Sequence, residues 1–355
     1  MEIYKTFANK NGAQIILQTI KDYGPISKRE IQEKTNLSWG HVSQVTKHFL
    51  DAGYIVVSEK EMTAGRAREL LDINKDDNYF VGVDISCQRM RVVLTDMKGR
   101  VIEGMRKEWE QCNYRTVLNT IYEVLDDLIF RYSDKKICGV GFAVQGIVDA
   151  SNGISVRIDK IRDWRNVPLK DLIENRYGVE TVVAHDPDCI MKCENCLGLL
   201  KHKDVMNAIL IHYGYGFAIG MSIMINGQIY VGYNGTAGEI GYTLLDIGAD
   251  GKQKMLEHYV DKRDTDIDIQ TIIHYIGCSI ATVNSLFSPE IIILHLAEAD
   301  YQENIVRVVG EYLQNYSYNK EVQLRVSHLS QNAKALGAAL MLADWEIARI
   351  VQCPS

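Results

Sequence analysis

Gly40, Ser43, Gln44 and Lys47 recur at helical spacing on one side of a short segment, and their chemistry suits a nucleic acid duplex. The Gln44 amide can pair with an adenine edge, Lys47 supplies a cation for phosphate, and Gly40 and Ser43 keep bulk away from the base edges. Val42, Val45 and Phe49 recur on the opposite side, the expected core face. A second group is Cys189, Cys193 and Cys196, which share a face if their segment is helical. Zinc would need a fourth ligand, His185 or His202. Reduced thiols in a cytosolic protein pack as small hydrophobes, so no metal is expected here.

The elements that must hold the first group are legible. Ser27 and Glu30 make an S-x-x-E capping box, Asn36-Leu37-Ser38 stops that helix and caps the next, and Gly53 ends the second. A β-rich run, Tyr54 to Val57, a Gly-centred basic loop, Met62 to Arg68, and a second short strand, Leu70 to Ile73, follow. Together they predict a wing, with Arg66 and Arg68 at its tip to reach a minor groove or flanking phosphates. Residues 1 to 75 hold 11 Lys and Arg against 9 Asp and Glu, leaving 28 against 37 for the remainder. A +2 module offers few phosphate contacts, so two modules on a two-fold double-stranded operator are expected, hence a homodimer or higher homo-oligomer.

At 355 residues the chain is too long for one core. A winged helix-turn-helix domain, 1–75, and a larger two-lobed body, 76–355, are the expected division. No run of apolar residues is long enough to span a bilayer, and Met-Glu-Ile-Tyr-Lys lacks the apolar stretch of a signal peptide. No membrane partner and a cytoplasmic location are therefore expected. From Tyr79 the sequence predicts three strands in a meander and then a helix, about Thr116 to Arg131. Strands at Ala208 to His212 and Phe217 to Ile225, a hairpin turn at Asn226-Gly227 and helices around Ile269 to Leu286 repeat the pattern. The class expected is α/β: the winged module followed by a duplicated actin-like (ribonuclease H-like) sugar-kinase fold.

Specific segments sharpen this. Gly139-Val-Gly-Phe-Ala-Val-Gln-Gly-Ile-Val-Asp149, Asp163-Trp-Arg-Asn-Val-Pro-Leu169, Ala237-Gly-Glu-Ile-Gly241, Ser288-Pro-Glu-Ile-Ile-Ile-Leu294 and Leu336-Gly-Ala-Ala339 stand in the order and rough spacing of one family. In these the chain resembles the ROK family of bacterial sugar kinases and winged-helix transcription regulators. The resemblance implies a carbohydrate site. The family's Asn-Asp pair, which holds the sugar and supplies the kinase base, falls on His185-Asp186, and Glu194 occupies the usual glutamate of the next helix. Sugar-contacting glutamates fall on Glu239 and Glu257, and Tyr242 replaces a histidine. Converging carboxylates suit a sugar because each accepts hydrogen bonds from paired hydroxyls.

The departures matter as much. The family's phosphate loop, resembling D-x-G-G-T-K, reads Asp84-Ile-Ser-Cys-Gln-Arg-Met90; its second phosphate motif reads Gly214-Tyr-Gly-Phe-Ala-Ile-Gly220; and its adenosine-side Gly-Gly is His295-Leu296. Phosphoryl transfer depends on positioning and neutralising phosphates, so these losses predict a chain without kinase activity or cofactor. The family's zinc motif becomes Gly248-Ala-Asp-Gly-Lys-Gln-Lys-Met255 with Tyr242, leaving no ligand. The expected function is a DNA-binding transcription regulator, a repressor, whose degenerate kinase-like body senses a small carbohydrate effector. The alternatives are a sugar kinase with an accessory DNA-binding domain and a ligand-free dimerisation scaffold.

Overall fold

The computed structural model describes residues 11–63, 66–75, 78–86, 89–109, 112–214, 218–247, 252–260, 268–296 and 301–352. Helices α1 (Gly12–Tyr23), α2 (Lys28–Thr35) and α3 (Trp39–Asp51) are followed by strands β1 (Ile55–Thr63) and β2 (Arg66–Ile73). Local chemistry sets each boundary. Asn11 caps α1 by accepting from the Gln14 amide at 2.9 Å, and Ser27 and Glu30 close a reciprocal capping box on α2. Asn36 ends α2 in the left-handed region at φ 56°, Ser38 caps α3, and Gly53 turns the chain at φ 76°. Ile26 exchanges backbone hydrogen bonds with Leu71, adding an isolated antiparallel bridge on the far side of β2.

Two expectations for this module are corrected. The buried face of α3 is Val42, Thr46 and Phe49, with Val45 only half-buried; the Thr46 hydroxyl is satisfied by the Val42 carbonyl at 2.7 Å. The wing strands run further than expected, with Lys60 to Thr63 paired to Arg66 to Glu69. Arg68 therefore lies within β2, opposite Glu61, not at a loop tip. Its guanidinium turns back onto α2, binding the Ser27 hydroxyl and Glu30 Oε2, the latter at 2.8 Å. The side chain of Arg66 lies outside the described residues.

The body begins with β3 (Tyr79–Ile85), β4 (Arg89–Asp96), β5 (Val101–Glu108), α4 (Tyr114–Arg131) and β6 (Ile137–Val144). A small sheet of β7 (Ile147–Asp149), β8 (Ile154–Arg157) and β9 (Arg165–Val167) precedes α5 (Leu169–Tyr177) and β10 (Glu180–His185). Next come α6 (Asp186–Leu197), β11 (Ala208–Gly214), β12 (Ala218–Ile225), β13 (Gln228–Ile229), β14 (Leu244–Ile247), β15 (Gln253–Met255) and α7 (Leu256–Val260). The chain closes with α8 (Ile269–Phe287), β16 (Ile291–His295), α9 (Gln302–Tyr316), β17 (Gln323–Val326) and α10 (Ala333–Gln352).

The duplication is explicit in the sheet orders, β5-β4-β3-β6-β10 and β13-β12-β11-β16-β17. In each, an antiparallel meander is extended by parallel pairing, β3 with β6 in one and β11 with β16 in the other. This is the actin-like, ribonuclease H-like arrangement. Backbone contacts gather the chain into two compact units, Met1–Ala184 with Ala335–Ser355, and His185–Lys334. In the first, Val117, Ile121, Leu125 and Leu128 of α4 pack with Val81, Val83, Val92 and Phe142 of the sheet. Each such side chain contributes about 1.5–3 kcal/mol when buried. Trp164, fully buried, donates its indole N–H to the Ser155 hydroxyl at 2.8 Å, which anchors the Asp163 to Leu169 segment. In the second, Ile273, Ile276 and Ile280 of α8 pack with Ile209, Ile211 and Ile292.

The reading module belongs to the first unit. Lys21 of α1 pairs with Asp344 of α10 at 2.5 Å, and the Lys98 ammonium meets Asp72 at 2.9 Å and the Gly24 carbonyl at 2.6 Å. Among the described residues, no helix is long and apolar enough to cross a membrane.

Candidate functional site

On α3 the residues chosen for base and phosphate contact stand outward. Gly40, Gln44 and Lys47 are exposed and Ser43 is half-buried. No atom lies within 4 Å of where a Gly40 side chain would begin, so the fold does not require glycine there. Glycine inside a helix costs about 0.5–1 kcal/mol relative to alanine. What it leaves is a bare stretch of backbone on the outer face. Two aromatic residues of α3 escaped the sequence reading: Trp39, 51% exposed, and His48. Gln44 also borders a groove of about 360 Å³, lined by Ala13, His41 and His48 and closed by Ile350 and Val351 of α10.

The second site is built where β10 ends and α6 begins. Asp186-Pro-Asp188 forms the first turn of α6; proline suits that turn, which lacks amide partners, and carboxylates there complement the helix dipole. Asp186 is 4% exposed. His185 lies between two acids, its Nε2 3.7 Å from Asp186 Oδ1 and 3.9 Å from Glu239 Oε1. Glu239 is placed by Gly238, at φ 95°, where a side chain would begin 2.2 Å from the Met221 carbonyl. Only glycine lets that loop lie on β12. A single turn, Ile240–Tyr242, leads to Tyr242, which is half-exposed. Glu257, in α7, packs on this turn: its Oε2 is 2.8 Å from where a side chain on Gly241 would begin. His185, Asp186, Glu239, Tyr242 and Glu257 are thus drawn together through His185 and the Gly238 to Tyr242 loop.

Other groups here gave little sequence signal. Lys334, in the first turn of α10, places its ammonium 2.5 Å from Asp186 Oδ2. Burial alone would raise the Asp186 carboxyl, but the Lys334 ammonium, with His185 adding to it, outweighs burial and holds it below the usual carboxylate range. Asp188 behaves oppositely. Burial pushes it up to about 6, although His185 and the Ser222 hydroxyl, which donates to Oδ1 at 2.6 Å, favour its ionised form.

At the ends of neighbouring parallel strands, His212 and His295 stand opposite one another. His212 Nδ1 lies 3.2 Å from the His295 carbonyl and 3.0 Å from its Nδ1. The His295 carbonyl only accepts, which favours the tautomer with the proton on His212 Nδ1. Burial, with Lys334 and His295 adding to it, drives the His212 imidazole well below its ordinary range, and it is neutral.

Glu194 is buried and structural, accepting the Leu199 amide at 2.6 Å, and Cys189 and Cys193 are fully buried in α6. No group of three or more His, Cys, Asp or Glu that could hold a metal ion occurs among the described residues. Cys87 and Gln88 of the first phosphate loop, Tyr215 to Phe217 of the second, and Gly248 to Gly251 of the lost zinc motif lie outside the described residues.

The family model for the ROK family matches residues 80–263 and 260–344. The chain belongs to the ROK family. A model for winged helix-turn-helix DNA-binding domains matches residues 14–56. The ROK chain is 22% identical to the xylose repressor of Bacillus subtilis, over 96% of this chain and 97% of that protein. It is 25% identical to the DNA-binding transcriptional dual regulator NagC of Escherichia coli, over 65% of this chain and 56% of that protein. Among solved structures it superposes on a ROK family transcriptional regulator described as a homologue of the E. coli MLC protein. That match has a TM-score of 0.79 at 19% identity, covering 96% of this chain and 97% of the other. A ROK family glucokinase from Streptomyces griseus, in complex with glucose and AMPPNP, superposes with a TM-score of 0.61 at 20% identity, over 74% of this chain and 98% of that one. These likenesses place the fold.

Proposed function

We propose that this ROK chain is a carbohydrate-responsive transcription regulator, a repressor that binds a two-fold operator in the cytoplasm as a homodimer. The outer face of α3 reads bases through Gln44 and meets phosphate through Lys47, and the cluster around Asp186 binds the effector. The observation that carries this reading is the Lys334 ammonium 2.5 Å from Asp186 Oδ2. A general base must be free to take a proton; a carboxylate paired with lysine and held below its ordinary range instead accepts hydrogen bonds. His295 supports the same conclusion. Its ring is buried against His212, at a strand end where family kinases keep glycine for the nucleotide. The xylose and N-acetylglucosamine repressors among the relatives suggest an uncharged sugar as effector.

The test uses full-length protein, an operator selected from random DNA, and xylose, glucose and N-acetylglucosamine as probes. One sugar should raise the melting temperature, by the equivalent of about 2.7 kcal/mol at a hundred times its dissociation constant, and release the operator. Asp186→Ala and Glu239→Ala should still bind operator but lose the response. ATP turnover dependent on sugar would overturn the proposal, as would loss of operator binding by folded, dimeric variants.

A further inference from the structure

Lys334 sits at one end of a helix whose other end reaches the DNA-reading module. It meets Asp186 with a side chain only 15% exposed, and ten residues on, about 15 Å along α10, Asp344 takes Lys21 of α1. Gln18 of α1 reaches the same carboxylate at 3.4 Å. In the last turns of α10, Ile350 and Val351 close the groove that Gln44 and His48 of α3 border. Between these contacts the helix is clamped backbone to backbone. A side chain on Gly82 of β3 would begin 1.8 Å from the Ala335 carbonyl, and one on Gly141 of β6 would begin 2.4 Å from that of Ala338. A helix packed so closely does not slide alone.

We propose that Lys334 belongs to the effector site and carries its occupancy into α10, and so to the reading module. This rests on the carbohydrate site proposed above. One sugar hydroxyl can accept from the ammonium and donate to Asp186 at once, standing between them. Two hydrogen bonds through one oxygen then replace the direct contact, and the nitrogen-to-oxygen separation grows to about 4.5–5 Å. The ligand that fits is an uncharged polyol. The Lys334 charge is matched by Asp186, Glu239 adds a second acid nearby, and among the described residues these pairs leave no surplus positive charge for a phosphate or carboxylate group. Binding energy is thereby spent on moving Lys334, which is how a ligand shifts a distant equilibrium.

The test compares wild type, Lys334→Met and Lys334→Arg as full-length proteins, using the sugar that stabilises wild type. Operator affinity is measured with and without it, and sugar affinity by calorimetry. Wild type should lose operator affinity about tenfold or more on sugar binding. Lys334→Met should bind sugar about tenfold or more weakly, for loss of one charge-assisted hydrogen bond, and at saturating sugar should change operator affinity less than about twofold, whereas Lys334→Arg should recover most of the response. A full response from Lys334→Met overturns the proposal. So does loss of sugar binding in both variants, which would make Lys334 a contact residue that transmits nothing. If no sugar acts on wild type, the carbohydrate reading itself fails, and this inference with it.

Discussion

Removing one partner of the Lys21–Asp344 pair should loosen the reading module without unfolding the protein. The two side chains are 2% and 4% exposed and 2.5 Å apart. Truncating Asp344 to alanine leaves a buried ammonium without its main partner, a change that costs about 3–5 kcal/mol. Asp22, 3.7 Å from Lys21 and 36% exposed, offsets part of that loss, so the lower end applies to Asp344→Ala. Lys21→Met leaves Asp344 the Gln18 amide at 3.4 Å, so it too should sit near the lower end. Native-state amide exchange in α1 and α3 reports the local opening directly. Each 1.4 kcal/mol is tenfold, so exchange should accelerate about a hundredfold in each single variant. The double variant Lys21→Met/Asp344→Leu replaces both charges with apolar groups of similar size, and its exchange should return to within about tenfold of wild type. Additive losses, with the double variant worse than either single, would refute the reasoning, because they would assign the stability to packing around each residue.

Two further outcomes follow from the geometry. Gln44→Ala should relax preference at one base pair per half-site, by about 1–3 kcal/mol, while Lys47→Ala should weaken binding to all sequences and reduce the salt slope by about one; an equal loss on every sequence for Gln44→Ala would show that this face does not read bases. Asp188 gives a pH dependence. Its folded-state carboxyl, about 6 against an ordinary 3.8, is protonated more readily than in the unfolded chain, so its contribution is fully present below about pH 4 and is lost as pH rises through 6. Asp188→Asn keeps an oxygen for the Ser222 hydroxyl but no charge, so denaturation midpoints should favour the variant at pH 7 over wild type and not at pH 4; a difference independent of pH contradicts this.

The parts of this molecule legible in its sequence are those fixed by neighbours a few residues away. Ser27 and Glu30 announce their helix because both bonds of the capping box close within one turn. The meanders announce themselves because antiparallel strands joined by short turns have local registers. Arg68 shows where this fails: a basic residue in a glycine-centred loop segment reads as a wing tip, yet pairing places it opposite Glu61 and sends it to Ser27, 41 residues away. The cluster proposed to bind carbohydrate was legible only as far as motif resemblance carried it. His185, Asp186, Glu239 and Glu257 each stood in a recognisable segment, whereas Asp188, two residues on from Asp186, gave no signal of its own.

Lys334 gave no signal, since nothing local in Asn332-Ala-Lys-Ala335 indicates that its ammonium meets Asp186. On the proposed reading this contact decides the chemistry. An aspartate that would serve as a base when free would anchor a ligand when paired, so a lysine remote in sequence would separate a sensor from an enzyme on one fold.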